Sequence, residues 1–311
     1  MQISQSDLRS LAVFRSVVEH GSFTGAQISL GLSQSAVSFH IKALEDRFGF
    51  ALCRRGRSGF ELTDRGSVVY ERSKGLYLAL NSFESDIGKL KNKITGTLRL
   101  GLIDNTVTDD ELPLPNVIAK ISNKAPEARI EITVGHPEAL LTEIAVGGLD
   151  LAILPHAQPF RGIKTTPFKE EMHVLYCAEG HALFQFAPED VTQDLVETFD
   201  FVVRPYANRQ ELEFFPNART KAFASNMEAQ AMFIMSGCFL GYLPEHYARQ
   251  WVEASKLKPI LASTTTLKSP FVIATRQDEK SSNIMDLFMQ ELAGLASEAL
   301  HRRTASRIVS P

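Results

Sequence analysis

The stretch SFTGAQISLGLSQSAVSFHIKALEDRFG, residues 22–49, decides the reading of this chain. Ser22 stands where a helix N-cap belongs, and Gly31 ends the short helix it opens. Ser33 is a second N-cap. The helix after it carries Ala36, Val37, Ile41, Leu44 and Phe48 on one inward face and closes at Gly49. Upstream, residues 7–20 (DLRSLAVFRSVVEH) place Leu8, Leu11, Phe14, Val17 and Val18 at helical spacing and stop at Gly21. Three short helices, the last two joined across Gly31-Leu32-Ser33, make a helix-turn-helix pattern.

The small, polar start of the third helix suits the major groove of DNA, which is about 12 Å wide and admits one helix read near its N-terminus. Gln34 can bond an adenine edge twice, and Ser33, Ser35 and Ser38 can reach phosphates or base edges. Lys42, further along, would meet backbone phosphate. The plainer alternative is a capped surface helix with no partner. Two short apolar runs, Ala51-Leu52-Cys53 and Phe60-Glu61-Leu62, flank Arg54-Arg55-Gly56-Arg57-Ser58-Gly59 and predict a β-hairpin, or wing. Arg54, Arg55 and Arg57 would reach phosphates or the minor groove from there, although Arg54 could instead pair with Glu45 or Asp46.

From Asp64 the pattern is one long helix. Leu76, Leu80, Phe83, Ile87 and Leu90 recur at alternating intervals of four and three, the seam of a dimerising coiled coil. After Thr95-Gly96 the texture changes. LRLGLI (98–103), RIEITV (129–134) and LDLAIL (149–154) are strands separated by helices over 113–124 and 137–147, an alternation that implies a parallel sheet. Beyond it, strands are expected at 173–177, 201–204, 222–224, 239–243 and 271–275. Helices are expected at 227–235, 244–251 and 282–299, with a frayed tail over 301–311.

Composition fits this modular plan. A chain of 311 residues, 44% apolar and 22% charged, is an ordinary globular protein of two or three domains. Residues 1–93 hold 13 Lys and Arg against 9 Asp and Glu, whereas the remainder is acidic, so a phosphate-binding module at the N-terminal end is reasonable. No run approaches the ~20 apolar residues of a membrane helix, and no signal peptide is evident. Three widely spaced cysteines, Cys53, Cys177 and Cys238, suggest a reducing cytoplasm rather than a disulfide framework. With no nucleophile elbow, P-loop, GxGxxG or zinc spacing, neither an enzyme nor a metal or other cofactor is expected. Asp109-Asp110-Glu111 is an acidic cluster ahead of a helix, read as N-terminal charge.

The run from Leu11 to Gly66 resembles the N-terminal domain of LysR-type transcriptional regulators. It does so through Phe14, Val17, Gly21-Ser22-Phe23-Thr24, Ala26, Leu32 to Ser38, Ile41, Leu44-Glu45, Gly49, Leu52, Arg54 and Leu62 to Gly66. The runs at 96–101, 148–153 and 241–244 extend the resemblance over nearly the whole chain. Departures are Phe39 and His40, where the family often has an arginine and a polar residue, and Cys53 in place of a usual phenylalanine. Phe39, if it faces the groove, can only touch a thymine methyl or stack.

The resemblance implies a multidomain protein: an all-α winged helix-turn-helix (1–65), a linker helix (66–94) and an α/β effector domain (95–311). That domain would resemble a type 2 periplasmic binding protein, with two Rossmann-like subdomains at about 95–165 plus 270–300 and 166–269, joined by crossovers near Pro167 and Pro270. It also implies promoter DNA, a small-molecule effector and RNA polymerase as partners, a homodimer or homotetramer, and no membrane. In such a fold the ligand sits beyond the strand C-termini, which points to Asn105, Thr106, His136, Pro137, His156, Arg204, Ser225 and Asn226. A small carboxylate or aromatic acid would meet a helix N-terminus there. His136 and Asn226 could instead cap helices, and Arg204 could sit in an ion pair. Asp104 would repel an anion if it pointed inward and is left out. The alternatives are a redox sensor using Cys177 and Cys238, or a regulator without a small effector.

Overall fold

The computed structural model describes residues 3–54, 60–90, 93–155, 159–205, 210–277 and 281–309. For residues 78, 81, 82, 84–86, 88–90 and 299–309 it describes the backbone alone. Arg55, Arg57, His156 and the Leu90 side chain therefore lie outside the described residues. The chain forms two compact units, one built on Met1–Glu84 and the other carrying most of the remaining residues.

In the first unit, α1 (Gln5–Glu19), α2 (Phe23–Leu30) and α3 (Gln34–Phe48) begin and end where the caps direct. Ser22 Oγ accepts the Gly25 N–H at 2.9 Å and Ser33 Oγ accepts the Ala36 N–H at 3.2 Å. Gly31, at φ +63°, takes the left-handed conformation that turns the chain from α2 towards α3. Leu11, Phe14, Val17, Ala26, Val37, Ile41, Leu44 and Leu52 form the core between the three helices. The wing is β1 (Cys53–Arg54) paired antiparallel with β2 (Glu61–Leu62). Glu45 Oε1 ties it to α3 by accepting the Leu52 N–H at 2.7 Å and the Cys53 N–H at 3.3 Å.

A single helix, α4 (Asp64–Leu90), follows. Its first half belongs to the same core through Val69, Tyr70 and Tyr77, and the Tyr77 hydroxyl donates to the Leu8 carbonyl at 2.9 Å. Further along, the seam residues Leu76 and Phe83 are exposed, Phe83 by 63%, while Leu80 and Ile87 are half-buried.

The second unit opens with β3 (Gly96–Leu102), α5 (Leu114–Lys124), β4 (Ala128–Val134), α6 (Pro137–Val146) and β5 (Leu151–Pro155). As expected from the alternation, β3 lies parallel between β4 and β5. There follow β6 (Ile163–Ala178), α7 (Gln193–Glu197), β7 (Asp200–Val203), β8 (Arg219–Phe223), α8 (Met227–Met235), β9 (Gly241–Pro244), α9 (Glu245–Glu253) and β10 (Leu257–Ile260). The unit closes with β11 (Leu267–Arg276) and α10 (Asn283–Val309). The main sheet runs β10-β6-β11-β5-β3-β4, with β9 also on β6, and β7 pairs in parallel with β8.

Two long strands carry this unit from one core to the next. Along its first part β6 pairs with β11, and along its last part with β9 and β10. The first lobe buries Leu100, Ile121, Leu140, Ile144, Ile153, Phe271 and Phe288. In the second lobe β6 alternates, sending Val174, Tyr176 and Ala178 to one core and Leu175 and Cys177 to another, as a strand buried on both faces must.

The expected crossovers near Pro167 and Pro270 fall inside these strands. Phe271 pairs with Lys169 and Val272 with Pro167, so the register shifts there. A bulge accommodates the N–H that proline lacks. Several boundaries correct the expectations. The strand expected at 173–177 is only the end of β6, β11 starts at Leu267 rather than 271, and α10 runs on to Val309 where a frayed tail was expected. α7 and β10 were not anticipated. No helix among the described residues is long and apolar enough to cross a membrane.

Gly66 lies in the first turn of α4, where an added Cβ would sit 1.9 Å from the Leu52 carbonyl oxygen, whereas one at Gly75 would meet nothing within 4 Å. Gly66→Ala is expected to lower stability by about 1–3 kcal/mol. Gly75→Ala, on the same helix, is expected to be neutral or stabilising by up to about 1 kcal/mol. Chemical unfolding of the two variants checks the contrast.

Candidate functional site

The first candidate surface lies on α3. Val37, Ile41 and Leu44 are buried, which turns Gln34, Ser35, Ser38, Phe39 and Lys42 outward along one stripe. Phe39 is 69% exposed on this stripe. Ser33 is exposed at the start of the stripe, but its hydroxyl already serves as the cap and lies 2.9 Å from Ser35 Oγ. His40 is a correction. Its Nδ1 lies 3.0 Å from Ser10 Oγ on α1, so the ring is held against the helix behind and not on the outward stripe. Arg54 is exposed at the base of the wing. Among the described residues it makes no ion pair with Glu45, whose carboxylate is turned to the backbone amides, nor with Asp46. Arg55 and Arg57 lie outside the described residues.

The second candidate surface lies where strand ends gather. Ile103 and Asp104 after β3, Val134 to Pro137 after β4, and Ser225 with Asn226 after β8 enclose a cavity of about 200 Å³. The structure thus brings together His136, Pro137, Ser225 and Asn226. Asn105 and Thr106 follow Asp104 but do not line the cavity. Asn105 adopts φ +56°, and both polar atoms of its side chain are buried without a hydrogen-bond partner among the described residues. Asn226 Oδ1 accepts the Ala229 N–H at 2.8 Å, the capping role that competed with ligand contact.

Sequence reasoning set Asp104 aside, yet it is central. Its Oδ2 accepts the Met227 N–H at 2.6 Å, so a carboxylate of the chain already occupies the N-terminus of α8. Arg204 is a correction as well. It is buried, its Nε donates to Glu211 Oε1 at 2.7 Å, and its backbone N–H donates to Glu211 Oε2 at 2.9 Å. It is absent from the lining of the cavity. His156 lies outside the described residues.

A third arrangement had no signature in the sequence. Glu171 on β6 is 3% exposed and is contacted by three groups. His173 Nε2 lies 2.7 Å from its Oε2, His246 Nε2 on α9 lies 3.0 Å from its Oε1, and the Lys169 ammonium lies 3.7 Å away. Lys169 also binds Asp109 of the first lobe, and Thr108 Oγ1 lies 2.8 Å from His246 Nδ1.

Burial alone would raise the Glu171 carboxyl. The two imidazoles and the Lys169 ammonium outweigh it and hold the group well below the usual carboxylate range. Ligand atoms of Asp109, Glu171 and His246 lie within 4.8 Å of one another, a spacing open to a metal ion, but Lys169 already supplies positive charge there. A cavity of about 740 Å³ adjoins the cluster, lined in part by Asp109, Asp110, Glu171, His246 and Arg249. Its cations are spoken for: Arg249 pairs with Asp110 at 3.0 Å and Lys169 with Asp109.

The three thiols are free. Burial pushes Cys177 up to about 11, and burial with the neighbouring Glu45 pushes Cys53 up to about 11, the reverse of what a redox-sensing thiol needs. Cys238 is exposed.

Comparison with known proteins follows the same division. Residues 8–67 match the family model of the bacterial regulatory helix-turn-helix protein, lysR family, and residues 91–297 match that of the LysR substrate binding domain. The chain is 36% identical over 299 residues to the HTH-type transcriptional activator BauR of Pseudomonas aeruginosa, covering 94% of this chain and 96% of that protein. It is 27% identical over 314 residues to a probable hydrogen peroxide-inducible genes activator of Mycobacterium avium, covering 98% of each. Among solved structures it is similar to full-length CbnR complexed with its target DNA, with a TM-score of 0.63, 16% identity, and 93% of this chain and 99% of that one covered.

Replacing Glu171 by Gln removes one partner of a buried charge cluster and is expected to cost about 3 kcal/mol or more in thermal or urea unfolding at neutral pH. The sign in pH follows from the lowered carboxyl. Its contribution is complete above the ordinary glutamate value of 4.5 and is lost as pH falls towards the folded-state value. Glu171→Gln should therefore flatten the acid side of the stability profile. An unchanged acid limb would show that Glu171 does not set it.

Proposed function

The chain belongs to the LysR family of transcriptional regulators, and from that premise we propose that α3 reads operator DNA while the cleft beside Asp104, His136 and Asn226 receives a small-molecule effector. The observation that carries the DNA half is the outward stripe of Gln34, Ser35, Ser38, Phe39 and Lys42 opposite the buried face of the same helix. Gln34 reads a base edge, and Lys42 with Arg54 contacts phosphate. Arg55 and Arg57 extend the basic wing in sequence. Exposed apolar residues at Leu76 and Phe83, with Leu80, Ile87 and Leu90 in the same heptad, support pairing of two linker helices. A dimer of that kind would present two recognition helices to an operator of two half-sites.

The effector half rests on position. In open α/β sheets ligands bind beyond the strand C-termini, and the 200 Å³ cavity lies at the ends of β3 and β4, closed by the residues ahead of α8 from the second lobe. A ligand there touches both lobes. It shifts their arrangement in proportion to its difference in affinity for the two states. That shift would change how paired units sit on promoter DNA and what they offer RNA polymerase. The buried, raised Cys177 thiol is the observation that weighs against a thiol-based reading built on Cys177 and Cys238.

Gln34→Ala should weaken binding to a selected operator by about 1–3 kcal/mol and leave random DNA nearly unchanged. Arg54→Ala should weaken both and reduce the salt slope of binding by about one unit. Equal losses on random DNA would show that Gln34 does not read bases. In sedimentation experiments Leu80→Asp combined with Phe83→Asp should shift the protein to a smaller species. An unaltered assembly would place the dimer contact elsewhere.

A further inference from the structure

An anion at a helix N-terminus needs free donors, and most of those at the start of α8 are committed within the chain. Two N–H groups there are already taken, Met227 by Asp104 Oδ2 at 2.6 Å and Ala229 by Asn226 Oδ1 at 2.8 Å. The first of these acceptors carries full negative charge, so a ligand carboxylate brought to the same place meets repulsion as well as an occupied donor. Arg204, the cation that sequence reasoning supplied to the cleft, is buried against Glu211. Glu228 adds a second acid in the first turn of α8. The Tyr247 hydroxyl is pushed up by burial and then by Glu228 and Asp104, which places both acids near α9. Among the described residues the lining of the cavity has two ionisable side chains, Asp104 and His136. Asp104 Oδ1 has no hydrogen-bond partner among the described residues.

We propose that the effector carries a cationic amino group and that Asp104 is the residue that selects it, binding the ammonium while its other oxygen keeps the N-terminus of α8. The proposal rests on the reading of this cleft as the effector site. An ammonium on Asp104 of the first lobe would sit beside Ser225 and Asn226, the residues of the second lobe that line the same cavity. A cavity of about 200 Å³ suits a short chain of a few carbons and leaves little room for a large ring system. A carboxylate elsewhere on the same ligand is compatible with this. A carboxylate as the only charged group is not.

The test is thermal unfolding of the full-length protein against three matched series of two to six carbons: straight-chain primary amines, straight-chain monocarboxylates, and ω-amino acids. The expected result is stabilisation by members of the amine-bearing series and none by the monocarboxylates. Titration of the best compound should weaken about tenfold or more in Asp104→Asn, which still accepts the Met227 N–H. Asp110→Asn, paired with Arg249 away from the cavity, should bind as the parent does. Stabilisation by monocarboxylates that is lost in Ser225→Ala overturns the amine proposal and leaves the cleft reading standing. An amine response unchanged in Asp104→Asn also overturns it. No stabilisation by any series, from a protein that still binds DNA, overturns the proposal together with the cleft reading on which it rests.

Discussion

A carboxylate with 3% of its surface exposed stays ionised only if the chain surrounds it with donors and positive charge, and Glu171 imposes that demand on the whole second unit. Its partners come from separate places. Lys169 and His173 flank it on β6, and His246 reaches it from α9. Through Lys169 and Thr108 the same cluster holds the segment after β3. That segment includes Asp104, so the wall of the cavity is held at one end by α8 and at the other by the charge cluster. The cluster sits where β6 passes from the first core to the second, close to the bulge at Pro167. A local electrostatic requirement and the path of the chain between lobes therefore meet at one place.

The first unit is organised by sterics rather than charge. Ser22, Gly31, Ser33 and Gly49 set the lengths and turns of α2 and α3, and Gly66 lets α4 approach the Leu52 carbonyl. With those fixed, burying Val37, Ile41 and Leu44 leaves Gln34, Ser38 and Lys42 no direction but outward. The proposed recognition surface is thus a consequence of the core. Glu45, one turn from the end of the same helix, commits its carboxylate to the wing backbone, so the wing keeps its place relative to α3.

Much of this was legible in the sequence because its signals are local. The bounds of α3 and α8 follow from a cap residue at one end and an apolar spacing that runs out at the other. The βαβαβ order of residues 96–155 is visible in alternating apolar runs. The features that were missed depend on distant partners or lack apolar patterning. The start of β6, Ile163 to Phe168, is polar and holds a proline, and β10 (Leu257–Ile260) holds another, so neither reads as a strand. Arg204 was misassigned because its buried partner Glu211 lies seven residues further along the chain, and His40 because Ser10 lies on another helix. The Glu171 cluster draws its members from residues 108 to 246 and leaves no motif at all. Asp104 was visible, but only the fold reveals that it faces a helix end.

The two halves give one proposed account: a three-helix reader presented in pairs, and a cleft between lobes, holding Asp104, that alters how the pairs are presented. Its central claim is that the full-length protein recognises DNA as a symmetric pair through α3. The most direct measurement is selection of bound fragments from random DNA, followed by footprinting of the enriched sequence. The account predicts an inverted repeat whose half-sites are centred about 34–36 Å apart or a multiple of that distance. Enrichment of a single unpaired half-site, or of no sequence at all, would contradict it.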